Sequence, residues 1–258
     1  MNHYRIGLKL WSTNTDCYFD EAKRLYEGGV FQYIELYVVP NTESTISKWA
    51  SMGIPFIIHC CHSAHDFNLA KPENEQYNKD IYAQTKRFAD TLDAQYIIFH
   101  GGLDGTVQET ARQLRLFNEP RTLVENKPFL ALPNSKHGRL CRGASLAELE
   151  YILSEVQCGF CLDIGHAVCA ANSQGIDPYG YLNDLNFLKP AMYHLSDITN
   201  MTSPYDEHPH LGSGKLDIAR LVHNLFHQES IISIETSKES KRDLEDFKKD
   251  CIWIRNCK

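Results

Sequence analysis

Eight brief, almost continuous apolar runs recur along the chain, at residues 5–10, 33–38, 56–59, 96–100, 122–125, 159–163, 192–195 and 231–235. Runs this short, without alternation, read as parallel strands covered on both faces. Helical patterns fill the intervals, at 19–27, 45–51, 73–92, 106–116, 145–155, 178–188, 217–226 and 239–254. One of them opens on Ser145-Leu-Ala-Glu148, a capping box. Eight strand-and-helix units without a composition shift, linker or low-complexity tract predict an α/β chain folded as a single (β/α)8 TIM barrel over residues 1–258. The length agrees, since such barrels take about 250 residues. An open doubly wound sheet is the weaker alternative, because no Gly-rich phosphate fingerprint follows the first strand.

From the third strand onward each run ends on or beside an imidazole or a carboxylate: His59, His100, Glu125, Asp163, His194 and Glu235. Scattered in sequence, they would converge at the mouth where all barrel strands point, so a divalent-metal site at the C-terminal face is the first expectation. Longer segments, at 60–72, 126–144, 165–177 and 196–216, leave the same mouth as expected loops. One of them begins within Asp163-Ile-Gly-His166, where glycine permits a turn that would face both polar side chains inward; the alternative is that Asp163 only caps a helix. Another holds Asp206-Glu-His208-Pro-His210, either ligands or a solvated polar loop, with Asp206 and His208 the better pair at i, i+2.

Glu125 and Glu235 in an enclosed mouth need a cation, whether a metal or a partner such as Lys127, and Glu35 near the end of the second strand is a similar case. His62, His65 and His137 fall in mouth loops as candidate substrate contacts. His223 and His227, i and i+4 on an outer helix, read as exposed, and His3 as incidental.

The formal charge of −7 and pI near 5.9 give no support to a broad polyanion-binding surface. No run approaches the roughly 20 apolar residues that span a bilayer, and the N-terminus has no signal-peptide core, so a cytoplasmic protein is expected. Nine cysteines, an odd number set mostly in apolar runs, read as free core thiols, and Cys158-Gly-Phe-Cys161 as packing before redox or zinc chemistry.

With these residues assembled, the chain resembles the endonuclease IV and xylose-isomerase-like barrel superfamily over essentially its whole length. The resemblance rests on His100 in Phe-His-Gly-Gly, Glu125 in Val-Glu-Asn, Asp163 and His166 in Cys-Leu-Asp-Ile-Gly-His-Ala, and His194 in His-Leu-Ser-Asp. Asp206 and His208 in Asp-Glu-His, Glu235 in Ile-Glu-Thr, and His59 followed by Asn68-Leu69-Ala70 complete it. It implies nine metal ligands for about three zinc ions that bind a phosphodiester and activate hydroxide. Glu125 would bridge two ions, with His59 and His100 on one, Asp163, His194 and Glu235 near another, and His166, Asp206 and His208 around the third. The sugar isomerase and epimerase branch implies instead one ion among Glu125, Asp163, His194 and Glu235. There Glu125 and Glu235 would move a proton through an enediolate while His166 binds the substrate.

The second-strand loop Pro40-Asn-Thr-Glu-Ser-Thr carries no Lys or Arg, which with the acidic charge disfavours duplex DNA. Tyr33-Ile-Glu35-Leu resembles the second-strand glutamate motif of the sugar branch. The expected function is therefore a divalent-metal-dependent isomerase or epimerase of carbohydrate metabolism, acting on a small sugar or sugar phosphate with Glu125, Glu235 and His166 as catalytic groups. The alternative is an endonuclease IV-type multinuclear zinc phosphodiesterase, cleaving at abasic sites in DNA, or a related phosphoester hydrolase. Zn, Mn, Co or Fe suit the donors, at about one to three ions per chain. A binding or scaffold protein that merely retains the ligands is a third class, disfavoured by the cost of clustering carboxylates without cations.

Overall fold

A computed structural model of the chain describes residues 4–257; His3 lies outside the described residues. Eight strands, β1 (Arg5–Trp11), β2 (Tyr33–Tyr37), β3 (Phe56–His59), β4 (Ile97–His100), β5 (Thr122–Glu125), β6 (Gly159–Asp163), β7 (Met192–Leu195) and β8 (Ile231–Ile234), pair in sequence order. All neighbours are parallel and β8 returns to β1, so the barrel is closed, as the eight apolar runs predict. Around it lie α1 (Phe19–Glu27), α2 (Ile46–Ala50), α3 (Glu75–Thr91), α4 (Val107–Phe117), α5 (Leu146–Val156), α6 (Ile164–Gln174), α7 (Pro178–Asn186), α8 (Ile218–Leu225) and α9 (Glu245–Asn256). The continuous apolar runs are explained by burial on two sides. One set of strand residues packs outward under the helices with Trp49, Phe88, Phe160 and Phe247, and the alternate set fills the barrel.

The inward set forms a layer of Tyr33, Ile57, Ile98, Leu123, Cys161, Met192 and Ile231. β1 contributes Gly7 beside Tyr33, and here glycine is required by space: a Cβ would fall 2.2 Å from the Tyr33 ring. Gly7→Ala should lower unfolding free energy by about 1–3 kcal/mol, the usual cost of overpacking, in urea titrations read by circular dichroism.

Three expectations need correction. The loop expected at 165–177 is mostly helix: the Asp163 carboxylate accepts from the His166 amide (2.7 Å) and caps α6, whose residues 164–171 are all buried. Gly165 is therefore helical and makes no turn. The last helix starts at Glu245 instead of 239, because Asp246 and Ser240 side chains bond the backbone of 239–243 in competing local turns. α8 stops at Leu225 with Phe226 extended, so the exposed His223 and His227 do not share a helix. All nine cysteines are free, and Cys161 packs inside the barrel. Among the described residues no helix is long and apolar enough to cross a membrane.

Candidate metal centre

Moving two residues along each strand from the apolar inner layer reaches the same face one step nearer the mouth. Ile57 leads to His59, Ile98 to His100, Leu123 to Glu125, Cys161 to Asp163 and Met192 to His194. On β1 and β2 the same step goes from Gly7 to Lys9 and from Tyr33 to Glu35, which are register partners. On β8 two steps from Ile231 pass Ser233 and reach Glu235, just beyond the strand, whose amide still donates to Leu195 O (3.0 Å). The period of two thus turns an apolar barrel layer into a closed polar ring.

Glu125, 1% exposed, is the centre of that ring. Its Oε2 lies 3.0 Å from His59 Nε2, 3.1 Å from His100 Nε2 and 3.4 Å from His194 Nδ1, and its Oε1 lies 2.9 Å from His166 Nδ1. His194 Nδ1 also faces Glu235 Oε1 (3.0 Å) and Asp163 Oδ2 (3.7 Å). His166 Nε2 continues to Asp206 Oδ2 (3.1 Å), which meets His208 Nε2 at 2.9 Å. All nine residues singled out in the sequence are thereby joined in one set of contacts. Three groups have donor atoms close enough to share an ion, the first two meeting at Glu125: His59, His100 and Glu125; Glu125, Asp163 and His166; Glu35, His194 and Glu235.

The loop members are held from outside the ring. Asp197 accepts from the amides of Ile198, Gly212, Gly214 and Leu216, and a Cβ on Gly214 would fall 2.3 Å from its carboxylate, so the chain closes tightly around it. Asp250 on α9 takes His210 Nδ1 (2.9 Å) and the Leu211 amide (3.0 Å). Glu207 bonds Thr199. Of the two histidines and two carboxylates in this loop, only Asp206 and His208 turn to the ring. Asn126 receives the Asp163 amide and donates to its carbonyl (2.7 and 2.8 Å), fixing β6 against the loop after β5.

The ring holds five carboxylates, Glu35, Glu125, Asp163, Asp206 and Glu235, against the ammonium groups of Lys9 and Lys127. Burial opposes the charge on Glu125, yet His100, Lys127 and His194 hold its carboxyl well below the usual range. Burial dominates at Asp163 and pushes it up. His166 is raised to about 10: burial works against its proton, and Asp163 and Asp206 outweigh burial. His100 is driven well down by burial and by Lys127.

These observations fit a divalent cation. His194 Nε2–H donates to Glu35 Oε2 (2.9 Å) and His59 Nδ1–H to the Cys60 carbonyl (2.7 Å), leaving each opposite nitrogen aimed at carboxylate oxygens, the usual orientation of a metal-ligating imidazole. His194 Nδ1, Asp206 Oδ1 and His208 Nδ1 are buried and make no hydrogen bond, despite the carboxylates near the first. Nitrogen and oxygen donors without thiolate suit Zn, Mn, Co or Fe.

Sequence reasoning passed over Lys9, a cation inside a largely apolar strand, although the step of two from Gly7 places it in the ring. Lys9 Nζ bridges Glu35 (2.5 Å) and Glu235. Burial raises Glu35, but His194 and Lys9 overcome it and hold the carboxyl at about 2 against an ordinary 4.5. A depressed folded value means that this stability is complete above pH 4.5 and is lost as pH falls toward about 2. Urea midpoints of metal-free protein should drop through that window, and Glu35→Gln should flatten the drop.

His62 and His137 line the mouth cavity, His62 stacked on His100 at 5.2 Å and His137 beside Asp66 at 3.1 Å, whereas His65 does not line it. The profile of the xylose isomerase-like TIM barrel family matches residues 31–257. The chain belongs to that family. One relative of this xylose isomerase-like barrel, a probable endonuclease 4 of Halothermothrix orenii, is 28% identical over 205 residues, 70% of this chain and 72% of that protein. The structure of endonuclease IV from Thermus thermophilus superposes with a TM-score of 0.69 at 20% identity, over 97% of this chain and 99% of its own. A D-tagatose 3-epimerase-like protein gives 0.67 at 17% identity, over 99% and 94%. At such identities the structural likeness establishes the fold.

Proposed function

We propose that this xylose isomerase-like barrel is a metal-dependent phosphoester hydrolase whose nine ring and loop side chains hold a cluster of divalent ions, zinc foremost. The observation that carries the reading is the completeness of the set around Glu125, which contacts four of the imidazoles directly and, through them, the other four side chains. His59 and His100 would share one ion with Glu125; Asp163, His194 and Glu235 would hold a second; His166, Asp206 and His208 a third. When bound, such ions supply Lewis acidity at a phosphoryl oxygen and a water of lowered pKa. The chain's own contribution is position and charge. Lys9 fixes Glu235 from below, Glu35 orients His194, and Lys127 Nζ, 3.1 Å from His166 Nε2, offers a cation to a phosphoryl oxygen at the cavity floor. The relative named probable endonuclease 4 supports phosphoester chemistry.

The sugar reading keeps one specific observation in its favour, the fully buried Glu35 bonded to His194 within the ring. Glu125 and Glu235 both contact His194 Nδ1, within 3.4 Å, as either reading expects; what the single-ion plan leaves without a metal-binding role is the further set of His59, His100, Asp206 and His208. Zinc-loaded protein should hydrolyse bis(4-nitrophenyl) phosphate, lose that activity to chelator and regain it with zinc. Deuterium uptake from solvent into a ketose or aldose panel, with no ester hydrolysed, would replace this reading with isomerisation or epimerisation.

A further inference from the structure

Above the ring is a cavity of about 500 Å³, within the range of small-molecule sites, with two unlike linings. Its floor is His100, Lys127, His166, Asp206 and His208. Its apolar lining is Phe67 and Leu103 with Leu130, Ala131 and Leu132 of the long segment after β5, which also brings Asn134, Ser135, Lys136 and His137 to the cavity. That segment is a fixed strap. Ala131 N donates to Arg139 O (2.9 Å) and Cys141 N to Phe129 O (3.1 Å), closing a hairpin. Asp104, after β4, takes the amides of Arg139 (3.0 Å) and Leu140 (3.1 Å) and returns its own amide to Leu140 O (2.7 Å). Leu103, Cys141 and Ala144, with Phe129 and Ala131, form an apolar cluster beneath it. Leu132 is 52% exposed at the cavity rim with no role in that cluster.

We infer, resting on the phosphoester reading above, that the substrate is a small organic phosphate ester of at most nucleotide size, its phosphate on the His and Asp floor and an apolar or aryl group on the Leu130–Leu132 wall. Among the described residues Lys127 and Lys136 are the lysines lining the cavity, and no arginine lines it, too few cations for the phosphate contacts on which duplex affinity depends.

The test uses the zinc-loaded full chain on three substrates: the 4-nitrophenyl ester of thymidine 5′-phosphate, methyl 4-nitrophenyl phosphate, and a duplex with one abasic site. The aryl nucleotide ester should have the highest kcat/KM and the duplex the lowest. Leu132→Ser and Leu130→Ser should raise KM for the nucleotide ester about tenfold, the worth of one apolar side-chain contact, with kcat and metal content unchanged. Calorimetry should show the same weakening for phenylphosphonate and none for methylphosphonate. A duplex cleaved as well as the small esters, or leucine variants that bind phenylphosphonate normally, would overturn the inference and leave the phosphoester reading standing. Hydrolysis of none of the three would overturn both.

Discussion

Glu125→Gln should cut phosphoester hydrolysis by at least about a thousandfold and strip the protein of most of its bound metal. The amide keeps the size of the side chain, so the Leu123 layer below should pack unchanged. What changes is charge. Glu125 is the shared contact of His59, His100, His166, His194 and Lys127, and an amide presents an NH2 group where one of those donors expects an acceptor. Removing one member of a buried ionic set leaves its partners uncompensated, at about 3–5 kcal/mol, so the metal-free variant should also melt lower. Hydrolysis within tenfold of the parent, at full metal content, would remove Glu125 from the bridging position.

Asp163 has two functions that substitution can separate. Its Oδ1 caps α6 through the His166 amide, while Oδ2 lies among His166 Nδ1 (3.5 Å) and His194 Nδ1 (3.7 Å). Asparagine is as good a cap as aspartate, and alanine is not. Asp163→Asn should therefore leave α6 intact and Asp163→Ala should cost about 1 kcal/mol more in unfolding free energy. Both should lose more than about a hundredfold in kcat/KM, since both remove the carboxylate charge. Equal stability with unequal activity would contradict this division of labour.

The ring was legible in the sequence because parallel strands buried on both faces still alternate, and a polar residue ending such a run has no place except the mouth. His59, His100, Glu125, Asp163 and His194 follow from that alone. Lys9 did not, since a cation inside Ile-Gly-Leu-Lys-Leu-Trp resembles an outward solvated residue until Gly7 and Tyr33 fix the inward phase. α6 was hidden by Gly165, a turn signal locally, overridden by the Asp163 cap and by the burial of the helix from 164 to 171. The strap and the Asp197 and Asp250 anchors rest on contacts between residues far apart in sequence, such as Asp104 with Arg139 or Asp250 with His210, which local pattern does not reveal.

The most direct measurement is metal per chain by elemental mass spectrometry, on protein purified without chelator and quantified by amino-acid analysis. The nine-ligand account predicts roughly three ions, chiefly zinc, falling by about one in His100→Ala and again in His208→Ala. A single ion per chain, unchanged by either substitution, would contradict it.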